Sequence, residues 1–278
     1  MAISILNNIP SLVAQNQLNI TNQNLQKTLF RLSSGSRINS GADDAAGLAI
    51  ADGLHANETA LTQSSQNASS GVGALQVADG ALAQVTTLLN RAVTLATEAS
   101  TGTVSNAQRG ALDAEFTQIK AEIDRIGSTT TFNGTSVFTA TTTSIFLSDA
   151  NSSSQIGVTV GTISSAAITN GTSTANLSAD DLTTAATAQT ALTDINTAIA
   201  NVAGIRGSIG AGINRLQSAV NVINAQVQNL TSAEDGIRAA DIPSEVANLS
   251  RFTILNQSGI SALAQANSTQ QSVLNLLR

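Results

Sequence analysis

The chain has 278 residues, a net charge of −6 and only 2% aromatic residues, with no Trp and no Tyr. Globular enzymes rarely build a core without large aromatics, whereas small and aliphatic side chains suit slender helix-on-helix packing. The absence of cysteine excludes disulfides, thiolate metal sites and cysteine catalysis together.

The opening MAISILNNIPSL has neither a basic n-region nor a long apolar stretch, so no secretory signal peptide is expected. No run of the chain reaches the roughly 18 consecutive apolar residues of a membrane span, so none is expected to enter a bilayer. Residues 4–33 read as a helix interrupted early by Pro10, with Leu18, Leu25, Leu29 and Leu32 sharing a seam with Gln15 and Asn22. Ser33-Ser34-Gly35-Ser36 breaks it, and Arg37 to Gly41 is a connector. Asp43-Asp44 reads as the start of a second helix, because carboxylates are favourable at the positive end of the helix dipole. That helix runs to about Ser100 on the seam Leu61, Ala68, Val72, Leu75, Asp79, Leu82, Thr86, Leu89, Val93, Ala96. At that length it spans about 85 Å, which describes a rod. Asp79 is the odd member of the seam, placed at its edge or facing a partner.

Thr101 to Val104 is a turn. A third helix follows from about Asn106 to Gly127, carrying Leu112, Phe116, Ile119, Ile123 and Ile126 at steps of four and three. Residues 128–178 are rich in Ser, Thr, Gly and Asn, and short alternating stretches such as Ser144 to Leu147 and Gly157 to Val160 predict one or two β-hairpins. Disorder is the competing reading. Asn133-Gly134-Thr135 and Asn170-Gly171-Thr172 match the N-glycosylation pattern, although matches arise by chance in such a composition. Helix returns from Leu177, with Ser178 to Asp181 as its cap, on the seam Ile195, Ile199, Val202, Arg206, Ile209, Ile213, Leu216, Val220, Ile223, Val227, Leu230. Ser232 to Asp241 breaks it, and Pro243 opens the last helix in its first turn.

That last stretch, VANLSRFTILNQSGISALAQANSTQQSVLNLLR, places Val246, Leu249, Thr253, Asn256, Ile260, Leu263, Asn267, Gln270, Leu274 and Leu277 on one stripe. Apolar and polar pairs alternate along it, which leaves too little apolar burial for the helix to order alone. The expected solution pairs the N- and C-terminal helices, continues as an antiparallel coiled-coil bundle, and carries the β region at the far end. The fold class is therefore mainly α, an elongated antiparallel coiled-coil bundle with a small β-hairpin region. Residues 1–42 and 246–278 contain Lys27, Arg31, Arg37, Arg251 and Arg278 and no acid. Those five charges make no nucleic-acid patch. Sparse charge fits ends that are buried by other chains.

The segment SEVANLSRFTILNQSGISALAQANSTQQSVLNLLR resembles the C-terminal signature of bacterial flagellin, and RLSSGSRINSGADDAAGLAIADGL resembles its N-terminal signature. The resemblance implies an inner core layer over 1–42 and 236–278, outer core helices over 43–127 and 179–235, and a β-hairpin region over 128–178. The variable outer domains common among flagellins are absent from so short a middle. Also implied are self-assembly of many copies into the extracellular flagellar filament, export through the flagellar type III apparatus, and a chaperone, a cap and hook-junction proteins as partners. O-glycosylation of the Ser/Thr-rich middle is a further implication. The subunit interface falls on Leu18, Leu25, Leu29, Leu32, Val246, Leu249, Ile260, Leu263, Leu274 and Leu277. In flagellins recognised by Toll-like receptor 5 the second helix carries a motif like Gln-Arg-Val-Arg-Glu-Leu-Ala; here it stands as Asn90-Arg91-Ala92-Val93-Thr94-Leu95-Ala96. Arg91, Leu95 and Glu115 are the residues that keep the pattern, and the second Arg and the Glu are lost.

Two alternatives stand beside this reading: a hook–filament junction protein, and a secreted enzyme or adhesin on a coiled-coil stalk. Chemistry has little support. The only histidine, His55, lies in a helix between Asp52 and Glu58 without a positioned nucleophile. Asp43-Asp44 and Asp180-Asp181 are adjacent pairs that do not face one site on a helix and read as caps. The glycines from Gly204 to Gly212 lie inside a helical seam. No cofactor and no metal is expected.

Overall fold

The computed structural model describes residues 8–148, 155–170 and 172–276, with side chains up to 272. Among the described residues there are five helices: α1 (Ile9–Ser34), α2 (Ala45–Ser100), α3 (Asn106–Thr129), α4 (Ala185–Arg238) and α5 (Ile242–Leu276). The described residues between α3 and α4 include seven short strands: β1 (Thr131–Phe132), β2 (Thr135–Ser136), β3 (Thr143–Phe146), β4 (Gln155–Val158), β5 (Ile163–Ser164), β6 (Ala167–Thr169) and β7 (Thr174–Ala175). The chain forms two compact units, residues 1–56 with 229–278 and residues 57–228, dividing within α2 and α4.

In the first unit α1 packs on α5. Asn8 caps α1 by accepting the Ser11 N–H, and Pro10 falls in the first turn. Proline thus opens this helix rather than interrupting it, since a first-turn N–H has no intrahelical acceptor. Gly35 ends α1 in the left-handed conformation at φ 70°, where a side chain would be strained. The segments after α1 and before α5 then meet in a single antiparallel bridge, Ser36 with Ala239, flanked by Arg37 N–H to Arg238 O at 2.6 Å and Ala240 N–H to Gly35 O at 3.0 Å. Asp44 starts α2 by accepting the Ala46 and Gly47 N–H groups.

In the second unit the core is a set of aliphatic layers. Leu75, Ala78, Leu82, Val85, Leu89 and Ala92 of α2 are buried, as are Ile195, Ala198, Val202, Ile205, Ile209, Gly212 and Leu216 of α4 and Phe116, Ile119 and Ile123 of α3. One 18-residue window of α2 has a mean hydropathy of 1.2, with 28% of that window buried. The expected seams hold at Leu75, Leu82 and Leu89 and at Ile195, Val202, Ile209 and Leu216. The layers between them shift by one residue, to Ala78 instead of Asp79, Ala198 instead of Ile199, and Gly212 instead of Ile213. A capping box at Ser105 and Gln108 starts α3. The helix α4 begins at Ala185, later than expected, because Asp181 accepts from Thr183 and Thr187, and Thr184 caps the Thr187 N–H.

The β region holds three small antiparallel sheets, β1–β2, β3–β4 and β5–β6–β7. β3 and β4 lie within two residues of the expected strands and pair Ile145 with Ile156. Asn133 (φ 50°) and Gly134 (φ 77°) form the two-residue β1–β2 turn, the conformation for which Asn-Gly is favoured.

Candidate self-association surface

On α1 the positions facing α5 follow one 3-4 repeat: Ser11, Ala14, Leu18, Thr21, Leu25, Thr28 and Leu32, each half-buried or buried. On α5 the repeat is Glu245, Leu249, Phe252, Asn256, Gly259, Leu263, Ala266 and Gln270. Contacts along the pair fall in a single antiparallel register. The Asn8 amide donates to Ala266 O at 3.3 Å and to Asn267 Oδ1 at 3.4 Å. A Cβ at Gly259 would lie 3.2 Å from Leu18 Cδ1. Asn256 donates from its amide to Asn22 Oδ1. Arg31 donates to Glu245 Oε1 at 3.3 Å and lies 3.9 Å from Asp43. Glu245 is buried, so this ion pair sits partly out of water. The Asp43 carboxyl is held below its ordinary value, chiefly by the Asn39 N–H, with the Ser40 hydroxyl and Arg31 adding to it.

Leu18, Leu25, Leu32, Leu249 and Leu263 are half-buried on the faces that α1 and α5 turn to each other. Leu29, Val246 and Ile260 are 48%, 47% and 54% exposed. Leu274 lies on the α5 backbone with its side chain outside the described residues, and Leu277 lies outside them altogether. Thr21, Thr28, Glu245 and Gly259 take the intervening seam positions that the sequence reading assigned to Asn22, Leu29, Val246 and Ile260. The exposed large apolar residues concentrate here. Twelve of the fifteen among the described residues lie in this unit, including Ile9, Leu12, Val13, Phe30 and Ile254. Its buried positions meanwhile include the polar Thr21 and Thr28. Apolar surface concentrated in this way is the kind that interaction sites present.

In the second unit Arg91 and Glu115 form a two-pronged ion pair, Nε to Oε1 at 2.7 Å and Nη2 to Oε2 at 3.0 Å, with both side chains about half exposed. The hydrogen bond from Arg91 holds the Glu115 carboxyl below its ordinary value, and the same bond raises the Arg91 guanidinium. Leu95 is fully buried. It is a core residue and not a surface contact, a correction to its place beside Arg91 and Glu115, because its helix turns it into the aliphatic layers with Ala92 and Ala99. Asp79 sits at the edge of its seam, 2.8 Å from Arg206. His55 Nδ1 lies 3.3 Å from Glu234 on an exposed side chain.

A helical protein whose terminal helices pair with each other and direct their aliphatics outward belongs to the class of self-associating structural proteins. Two family models agree with that class: the bacterial flagellin N-terminal helical region matches residues 5–143, and the bacterial flagellin C-terminal helical region matches residues 192–277. Flagellin of Halalkalibacterium halodurans is 36% identical over 275 residues, covering 99% of each chain. Flagellin of Listeria monocytogenes is 35% identical over 97% of this chain and 98% of its own. The flagellar filament 33 kDa core protein of Treponema phagedenis is 34% identical over 99% of each. The crystal structure of Bacillus cereus flagellin matches 61% of this chain and 94% of that one at 30% identity, with a TM-score of 0.47. The chain belongs to the bacterial flagellin family. It is a structural subunit of the flagellar filament and not an enzyme, and nothing in the comparisons favours a hook–filament junction protein.

Proposed function

We propose that this subunit is incorporated by mutual burial of its terminal helices. Residues 1–42 and 236–278 form the inner layer of the filament, residues 43–127 and 179–235 the outer helical layer, and residues 128–178 a β-rich region of that outer layer. The ends order as each copy joins, and the free energy of burial against neighbours offsets the entropy of ordering. Leu29, Val246 and Ile260 supply outward apolar surface for neighbours to bury, while Leu18, Leu25, Leu32, Leu249 and Leu263 pack α1 on α5 within the subunit. Contacts of head-to-tail type that do not close extend into a helical polymer. Turned at its base, the polymer drives motility. The observation that carries this reading is the crowding of exposed aliphatics onto the α1/α5 unit. Electron microscopy of concentrated protein tests it: the full chain forms filaments, and a chain lacking residues 246–278 forms none while keeping its helical signal. Normal filaments from the truncation reject the mechanism.

We further propose export in an unfolded state, with an export chaperone, a filament cap and hook-junction proteins as partners, and the likeness to flagellins supports this. Toll-like receptor 5 is proposed as an external partner through the exposed Arg91–Glu115 pair, without Leu95. Reporter cells given monomer decide this point: a dose-dependent response that R91A/E115A lowers supports the contact, and a flat response rejects it.

A further inference from the structure

The faces that α1 and α5 turn to each other interleave half-buried leucines with polar or small residues, where a stable helix pair would be apolar throughout. Asn22 meets Asn256, Asn8 meets Ala266 and Asn267, and Leu18 meets Gly259. Thr21 and Thr28 fill buried positions of α1. The Thr21 hydroxyl donates to Gln17 O of its own helix at 2.8 Å, so it spends its hydrogen bond without binding α5. The second unit uses the same repeat differently, with Leu82, Leu89, Ile195, Ile209 and Leu216 fully buried. In the α1/α5 unit the aliphatics Ile9, Leu12, Val13, Ile20 and Ile254 are instead about half exposed or more.

We infer that the Asn22–Asn256 contact, at the edge of the seam beside the buried Thr21, is a threshold device that holds the α1/α5 pair just short of ordering by itself. The inference rests on the proposed coupling of ordering to assembly and names the residues that set it. A side-chain amide pair contributes little net stability because both partners leave water to meet. An Asn at a helix interface fixes register while lowering stability. Asn and Thr also disfavour helix within each strand of the pair. An end that ordered before a neighbour arrived would display its outward aliphatics as a preformed sticky patch. The polar layer delays ordering until both faces are covered together.

The test uses the full-length monomer in dilute solution, with amide hydrogen exchange read by mass spectrometry over residues 9–34 and 242–276. Wild-type protein exchanges at unprotected rates in both segments. N22L/N256L, which fills the layer with apolar atoms, slows exchange by roughly tenfold or more. N22A/N256A raises helix propensity without filling the layer and leaves exchange fast. Exchange in N22L/N256L as fast as in wild type overturns the inference, as does equal protection in N22A/N256A, which would assign the effect to local propensity. Circular dichroism of each variant verifies that the remaining helices are intact. Protected ends in the wild-type monomer sink the coupled-ordering reading itself, and the threshold with it.

Discussion

Asp124 of α3 accepts both the backbone N–H and the hydroxyl of Ser165, at 2.6 and 2.8 Å. The Ser165 turn joins β5 to β6, so one carboxylate fastens a three-stranded sheet to a helix. Ser165 is buried, and its N–H and hydroxyl lose their protein acceptor together if the carboxylate is removed. Asp124→Ala is therefore expected to lower stability by about 2 kcal/mol, as for the loss of a charged hydrogen-bond acceptor. Urea unfolding followed by circular dichroism measures it, and an unchanged midpoint contradicts the role.

Arg109 is a buried guanidinium that donates to Ala99 O at 2.8 Å, Thr101 O at 2.7 Å and Asn106 Oδ1 at 3.0 Å. It gathers the last carbonyls of α2 and the first turn of α3 in one planar fork. Lysine carries the charge without the fork. Arg109→Lys is expected to recover less than half of the roughly 2–3 kcal/mol lost in Arg109→Ala. A full rescue in thermal unfolding would show that charge alone suffices.

Two glycines predict opposite outcomes. A Cβ on Gly127 would stand 1.8 Å from the carbonyl oxygen of Ile163, which belongs to the backbone of β5 and cannot rotate away. Gly127→Ala is expected to cost about 3 kcal/mol or to displace the sheet. A Cβ on Gly80 of α2 meets nothing within 4 Å. Gly80→Ala is expected to stabilise by about 0.5–1 kcal/mol through helix propensity. Parallel melting curves of the two variants check both signs.

Asp180 has a carboxylate oxygen, Oδ2, buried without a hydrogen-bond partner. Burial raises its carboxyl above the ordinary value, Asp194 and Asp181 raise it further, and Lys120 opposes them. A carboxyl with a raised native value favours the fold when protonated, so its contribution is present at low pH and fades as pH rises through that value. Asp181 and Glu115 are shifted downward and act in the opposite sense, losing their contribution only at more acid pH. Asp180→Asn is expected to raise the melting temperature at neutral pH and to lose that advantage as the solution is made mildly acid. An advantage that persists unchanged into acid rules out titration of Asp180 as the cause.

The fold class, the pairing of the two ends, the α3 seam at Phe116, Ile119 and Ile123, and alternate layers of the other four seams were legible in the sequence. Leu75, Leu82 and Leu89, or Ile195, Ile209 and Leu216, recur at sevens and are buried as their spacing requires. The other half was not legible, and the error is the same in four helices. Between large residues, the reading took the next bulky or polar position, Asn22, Asp79, Ile199 or Ile260. The structure takes the residue just before it, Thr21, Ala78, Ala198 or Gly259. Bulk is a poor guide there, because a small side chain lets two helix backbones approach while its larger neighbour covers the flank. Arg109 left no signal, since a lone arginine among polar residues announces no partner until two helix ends are brought around it. Asn133-Gly134 did leave a signal, an Asn-Gly pair between short strands, and its two positive φ angles make it a hairpin turn.

The bridge between Ser36 and Ala239 has a consequence for how the terminal helices are aligned. Among the described residues, the backbone links between the two terminal segments lie at Gly35, Arg37, Arg238 and Ala240, at the inner ends of α1 and α5. There, two main-chain bonds latch the outgoing and returning strands at one level, and the Arg37 guanidinium reinforces the latch at Ile237 O, 2.8 Å away. The bridge thus pins the roots of the two helices side by side and fixes the level from which they run outward together.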